Sequence, residues 1–383
     1  MEFGIALAST TESWRAVKRA EALGFSHAWF YDTQLLNPDV FVCMALAARE
    51  TRRIRLGTGV LIPSNRIAPV AANGLATLAK LAPGRVDFGV GTGFTARRTM
   101  GQGAVPLREM EEYIRVVQGM LRGDTVECQL DDGLHKVRFL NPDAGLINID
   151  DEIPLWVSAF GPKARALTAK LGAGWLMFAG GVDAAVASLR QMQDSWKASG
   201  RRESLRSVLF TLGCVLRKGE RADSKRAIAQ AATLAAAFFH DMVERGQLAE
   251  VMGTLPPFVA EALEGYRKLH DSYQPADGKY LTLHRGHLMF LRPEEQPLYN
   301  KQIVEAFSFT GSAPELRDRV AALRDAGYSQ FTVQLVEGHE DALEDWAEVF
   351  KPLGLRRGAA KKAPARKKTT SKRRPARRVS KKR

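Results

Sequence analysis

LGTGVLIPSNRIAPVAANGLATLAKLAPGRVDFGVGTG, residues 56–93, reads as a strand, a loop, a helix, a turn, a second strand and a second Gly-rich loop. The apolar run 54–60 has strand length and ends in a loop containing Pro63. Pro69 opens an Ala/Leu-rich segment that Pro83-Gly84 stops, as expected of a helix that starts at a residue with a preset φ and ends in a Pro-Gly turn. Residues 85–90 are a second short apolar strand, closed by Gly91-Thr92-Gly93. Two consecutive βα units with glycines just beyond a strand's carboxyl end bring bare backbone N–H groups to a place where a flat, phosphate-bearing cofactor can approach closely.

The same alternation continues outward in both directions. Strands are expected over 3–8, 27–31, 154–159, 175–178, 208–216 and 328–336, and helices over 12–23, 38–49, 107–121, 163–171, 183–196 and 342–350. Ser312-Ala313-Pro314-Glu315 is a capping box, and Leu316, Val320 and Leu323 lie on one face of the helix it opens. Eight strands each followed by a helix predict an α/β fold, a (β/α)8 TIM barrel spanning residues 1–355. Two stretches break the rhythm and are read as insertions, a polar β-like piece at about 123–152 and a helix-rich one at about 218–308.

The formal net charge is +14, which would ordinarily point to a nucleic acid or a membrane surface. Its distribution says otherwise for most of the chain. Residues 356–383 hold 15 Lys/Arg and no acid, leaving 41 basic against 42 acidic side chains in residues 1–355. That tail is poor in apolar residues and is expected to be disordered, with either a polyanion such as nucleic acid as partner or no selected partner. Cys43, Cys128 and Cys214 are odd in number and far apart, which suits reduced thiols in a cytoplasmic protein. No segment approaches the ~18 unbroken apolar residues of a membrane span, so no membrane is expected.

The ordered series Gly57-Thr58-Gly59-Val60-Leu61, the Pro-Ala helix start, the Pro-Gly-Arg turn and Gly89-Val90-Gly91-Thr92-Gly93 resembles the luciferase-like superfamily of flavin- and coenzyme F420-dependent oxidoreductases. Residues 2–8, the strand ending in Asp32, Val157-Ser158-Ala159-Phe160-Gly161-Pro162-Lys163 and residues 310–336 extend the resemblance. It implies FMN or F420 held across the barrel mouth, a small-molecule substrate, and a homodimer by analogy. It also implies a non-prolyl cis peptide at Gly59-Val60 or Val60-Leu61 against one face of the ring, and an acidic residue near cofactor or substrate at Asp32. With FMN the enzyme would be a monooxygenase; with F420 it would be a hydride-transfer reductase or dehydrogenase.

Active sites of such barrels lie at the carboxyl ends of the strands, which selects the remaining candidates. Asp32 and Tyr31 are the candidates for moving a proton. Gly59, Val60, Leu61, Gly91, Thr92 and Gly93 are the candidates for the ring. Gly161 with Lys163, and Gly180 with Gly181, each precede a helix and are candidates for a phosphate. Trp29, Phe160 and Phe178 either wall the site or pack the core. Sugar-phosphate dehydrogenases of the superfamily carry Glu and Asn where this chain has Phe94 and Arg97, so a more apolar pocket is implied, with Arg97 or Arg98 facing either an anionic substrate group or solvent. His284-Arg285-Gly286-His287 has metal-like spacing without supporting Cys or carboxylates, and is read as part of a lid with no metal assigned. The alternatives are a barrel of another chemistry and a non-catalytic barrel anchored to nucleic acid by its tail.

Overall fold

Short strands that are apolar on both faces must be covered on both, and helices outside a closed sheet achieve this. The computed structural model, which describes residues 1–246 and 252–355, shows this arrangement. The strands in chain order are β1 (Glu2–Leu7), β2 (His27–Phe30), β3 (Arg55–Thr58), β4 (Val86–Val90), β5 (Val126–Leu130), β6 (Gly133–Val137), β7 (Leu155–Ser158), β8 (Gly174–Phe178), β9 (Ser207–Thr211), β10 (Val215–Leu216), β11 (Gly311–Ser312) and β12 (Gln330–Leu335). Eight of them close a parallel barrel in the order β1-β12-β9-β8-β7-β4-β3-β2, with Phe3 opposite Phe331 at the closing seam. The basic tail 356–383 lies outside the described residues, and among those described no helix is long and apolar enough to cross a membrane.

Helices α1 (Ser13–Leu23), α2 (Val40–Glu50), α3 (Ala68–Leu81), α4 (Phe94–Arg98), α5 (Leu107–Leu121), α6 (Pro162–Leu171) and α7 (Val182–Ala198) follow the strands in turn. The two faces of a strand serve different layers. On β2, Ala28 and Phe30 pack with the helices, whereas Trp29 joins Trp156, Leu176, Val208 and Phe210 inside the barrel. Below that aromatic layer lies an ionic one. Asp87 of β4 is 1% exposed and accepts from Arg55 Nε at 2.8 Å, Arg55 Nη2 at 3.0 Å and Trp156 Nε1 at 3.0 Å. Trp29 Nε1 donates to Gln330 Oε1 at 2.9 Å, completing a satisfied polar floor.

Residues 123–152 contain an antiparallel hairpin, β5 with β6. The expected strand 208–216 is two pieces: β9 stays in the barrel, whereas β10 pairs with β11 in a separate two-stranded sheet. Gly213 marks the break, because a Cβ there would lie 2.0 Å from the Phe309 carbonyl oxygen that the chain passes. The Gly-rich loop after β4 is also shorter than its sequence suggests, since Phe94–Arg98 coils into α4 behind Gly93 at φ +85°.

The long insertion leaves through residues 217–224 into α8 (Lys225–Glu244), whose Ser224 cap accepts from the Ala227 N–H at 3.1 Å. Glu220 pins this exit to Arg226, which also donates to the Val215 carbonyl and to Asp345. The Arg226 hydrogen bond holds the Glu220 carboxyl down at about 2. A carboxyl whose folded value lies below its unfolded 4.5 stabilises the fold above pH 4.5 and loses that contribution as pH falls toward 2. With solvent screening discounted, Glu220→Gln is therefore expected to cost about 2 kcal/mol near neutral pH. In urea titrations its gap from wild type should shrink by roughly half or more at about pH 3. A gap independent of pH would contradict this account of the exit turn.

Candidate active site

The mouth of the barrel is built from the segments that leave β2, β3, β4, β7 and β8. After β3 the chain turns through a cis Gly59-Val60 peptide, one of the two bonds implied by the resemblance. Val60 is half-buried and, like Phe178 and Leu288, packs against the aromatic interior that includes Trp29, Tyr31 and Phe210. Gly91, at the end of β4, is glycine for a steric reason: a Cβ would come 2.8 Å from Val60 Cγ2 and 3.3 Å from Ser158 Cβ. Phe178 stacks on Phe210 at 5.1 Å and stands 6.3 Å from the Tyr31 ring. These groups form a largely apolar wall with a buried phenolic hydroxyl in it.

That hydroxyl belongs to Tyr31, which is 6% exposed and donates to Gln334 Oε1 at 2.9 Å. Burial pushes its phenol far above the ordinary value, so it stays protonated. Gln334 Nε2 in turn donates to the Leu288 carbonyl, tying the insertion to the barrel. Leu288 adopts φ +58°, uncommon for a branched residue, and its partly buried side chain packs against both the cluster of Tyr31 and Phe210 and the cluster of Leu212 and Val336.

Two helix starts border the mouth. Gly161 caps α6 with nothing within 4 Å of a Cβ, and the first turn carries Lys163, exposed, and no acid. Arg165 donates to the Phe160 carbonyl, and its Nε is buried without a partner. Gly181 caps α7, where a Cβ would lie 3.9 Å from the Ala306 carbonyl oxygen, and the first turn there contains Asp183. Gly180 has a packing role, since its Cβ would fall 2.2 Å from the Phe307 carbonyl oxygen. The α6 start therefore fits an anion better than the α7 start. A surface hollow of about 570 Å³ lined by Lys170, Arg201 and Glu203 lies where α6 and α7 end, at the opposite end of the barrel, and has no part in the mouth.

A model of the luciferase-like monooxygenase family matches residues 5–330. The chain belongs to that family. It is 30% identical over 182 residues to a 5,10-methylenetetrahydromethanopterin reductase of Archaeoglobus fulgidus, covering 46% of this chain and 53% of the relative. It is 34% identical over 150 residues to an F420-dependent glucose-6-phosphate dehydrogenase of Beutenbergia cavernae, covering 37% and 43%. The chain spans about half the length of the curated relatives it matches. Its fold is shared with a coenzyme F420-dependent tetrahydromethanopterin reductase from Methanopyrus kandleri, at TM-score 0.67 and 22% identity over 92% of this chain and 99% of that one.

Within this luciferase-like barrel the remaining candidates separate. Trp29 is 0% exposed, with Trp156 and Phe210 edge-on to its ring, so it forms part of the floor. Leu61 is 1% exposed and bridges to Val90, so it too is core. Asp32 is buried and held by Arg66 Nη1 at 2.9 Å to both oxygens, with Asn65 Nδ2 at 3.3 Å. Burial pushes its carboxyl up and Arg66 pulls it down, with the net direction upward. Thr92 accepts the Val105 N–H through its carbonyl at 2.8 Å, fixing the loop after β4. Arg97 donates to the Gly103 carbonyl. Arg98 is bound to Asp241 and Glu244 of α8, each at 2.9 Å, so it ties the insertion to α4. Phe94 is partly exposed beneath the Arg98 guanidinium at 4.2 Å, and Phe160 is exposed at the edge of the mouth. Sequence reasoning missed Gln334, Leu288 and Arg66, none of which carries a motif. His284 and His287 lie in the insertion beside the mouth, where His240 of α8 joins them.

Proposed function

We propose that this luciferase-like barrel is a hydride-transfer oxidoreductase that uses coenzyme F420 on a small, largely apolar substrate. The observation carrying the reading is the composition of the mouth: Val60, Phe178 and Leu288 enclose it, Tyr31 supplies a protonated hydroxyl, and Asp32 is committed to Arg66. Similarity to a methylenetetrahydromethanopterin reductase and an F420-dependent glucose-6-phosphate dehydrogenase supports F420, and the 33% identity to a limonene 1,2-monooxygenase makes oxygen insertion the alternative to test. Val60 would support one face of the ring, and the α6 start with Gly161 and Lys163 would take the phosphate. Bound F420 supplies or accepts a hydride. The protein orients the substrate, excludes water with Leu288, and holds the substrate oxygen or nitrogen near the Tyr31 hydroxyl. Phe94 in place of an acid favours an apolar substrate over a sugar phosphate.

Anaerobic turnover is the direct test. Reduced F420 should be consumed without oxygen when the protein is offered a panel of small ketones, imines and activated alkenes, and Tyr31→Phe should slow the reaction by about 10–1000-fold. Turnover that needs oxygen and reduced FMN would replace this reading with a monooxygenase.

A further inference from the structure

His240 on α8, His284 and His287 are separated in sequence by 44 and 3 residues, yet each offers a ring nitrogen lying within 4.8 Å of the others'. They are 3%, 2% and 8% exposed. Each Nε2 has a partner: His240 contacts Glu295 Oε1 at 3.1 Å, His284 contacts Glu244 Oε1 at 3.0 Å, and His287 contacts Thr95 Oγ1 at 2.9 Å. Each Nδ1 is buried with no partner. A carboxylate can only accept, so Glu295 and Glu244 fix the proton of His240 and His284 on Nε2 and leave Nδ1 as a bare lone pair. Thr95 Oγ1 can either donate or accept; with the His287 proton on Nε2, its Nδ1 is a third bare lone pair. Desolvated Nδ1 atoms without a donor, on three rings that gather a nitrogen each within 4.8 Å, are costly unless something electrophilic lies between them.

Two carboxylates, Glu295 and Glu244, stand directly behind the His240 and His284 imidazoles, and Arg98, Arg245 and Arg292 pair with the acids of the cluster. Imidazoles whose far nitrogen donates to a carboxylate are the usual outer arrangement of a metal centre, because that bond sets the tautomer and raises ligand basicity. Three imidazoles with a fourth position left to water suit Zn²⁺ among the divalent first-row ions.

We propose that His240, His284 and His287 bind a divalent transition metal of the zinc class through their Nδ1 atoms. Its place in the fold gives it a task. His287 directly precedes Leu288, and Thr95 belongs to α4, which follows the Gly-rich loop. The metal therefore clamps α8 and the 284–288 segment to the barrel and fixes Leu288 over the mouth. The proposal stands on the histidines alone and does not depend on which cofactor the barrel uses.

The test uses the full-length chain without an affinity tag. It is stripped with a chelator, checked by circular dichroism to remain folded, and titrated with Zn²⁺ and with Co²⁺ as a spectroscopic probe. One metal per chain is expected, with the visible absorption of nitrogen-ligated Co²⁺. His287→Ala should weaken binding by about 100-fold or more, and Glu244→Gln, which leaves all three ligands in place, by about 10–100-fold. A folded wild-type chain that takes up neither ion stoichiometrically would overturn the site. So would equal affinity in wild type, His287→Ala and Glu244→Gln, which would put the ion elsewhere. Should His287→Ala fail to fold, Glu244→Gln and the Co²⁺ spectrum of wild type still decide the matter.

Discussion

Asp87→Ala is expected to destabilise the barrel by about 3–5 kcal/mol, the usual consequence of removing one partner from a buried ion pair. Asp87 is 1% exposed and receives three hydrogen bonds from Arg55 and Trp156. Without it, the guanidinium remains in the barrel floor facing His27, whose imidazole burial already disfavours in its charged form. The indole N–H loses its acceptor at the same time. Urea or guanidinium unfolding, read by tryptophan fluorescence because Trp29 and Trp156 sit in the same layer, should show the loss directly. A change under about 1 kcal/mol would mean that the Gly84 and Val86 carbonyls, to which Arg55 also donates, suffice to hold it, and the ionic layer would lose its place in this account.

Gly91→Ala is expected to leave the protein folded and weaken cofactor binding by roughly 5–150-fold. The added methyl would meet Val60 Cγ2 at 2.8 Å, and Val60 is the residue proposed to support the ring. Overpacking of this kind costs about 1–3 kcal/mol. Expressed at the mouth, that is the quoted change in Kd, since each ~1.4 kcal/mol is tenfold. Val60 is half-buried and can yield toward the mouth, which is why the cost is expected in binding more than in folding. Equal Kd values for Gly91→Ala and wild type would separate Val60 from the cofactor.

The barrel was legible in the sequence because its signals are local. Apolar runs of strand length, Pro at helix starts and Gly at helix ends recur with the βα period, and the closed eight-stranded sheet follows. Strand 208–216 misled because its apolar run continues through Gly213, whereas the break is set by the distant Phe309 backbone. The site was legible in part. Glycines at 59, 91 and 161 announce themselves by position, and the cis bond falls where the family pattern puts it. Trp29 and Tyr31 share a strand face by parity, but height along the axis separates floor from mouth and sequence does not give height. Asp32 looked free because its partner Arg66 lies 34 residues on, beyond the next strand. The pairing of Tyr31 with Gln334 joins β2 to β12 across the interior and has no trace in either segment alone. Likewise, His240 lies 44 residues before His284, so local spacing showed two histidines where the fold assembles three.

The most direct test of the central claim is an equilibrium titration of the purified chain with oxidised F420 and, in parallel, with FMN, followed by fluorescence. The account predicts saturable one-to-one binding of F420, weaker binding of FMN, and loss of F420 affinity in Gly91→Ala. Tight FMN binding with none of F420 would contradict the hydride-transfer reading. Failure to bind either cofactor, in a chain shown to be folded, would contradict the assignment of the barrel mouth as the active site.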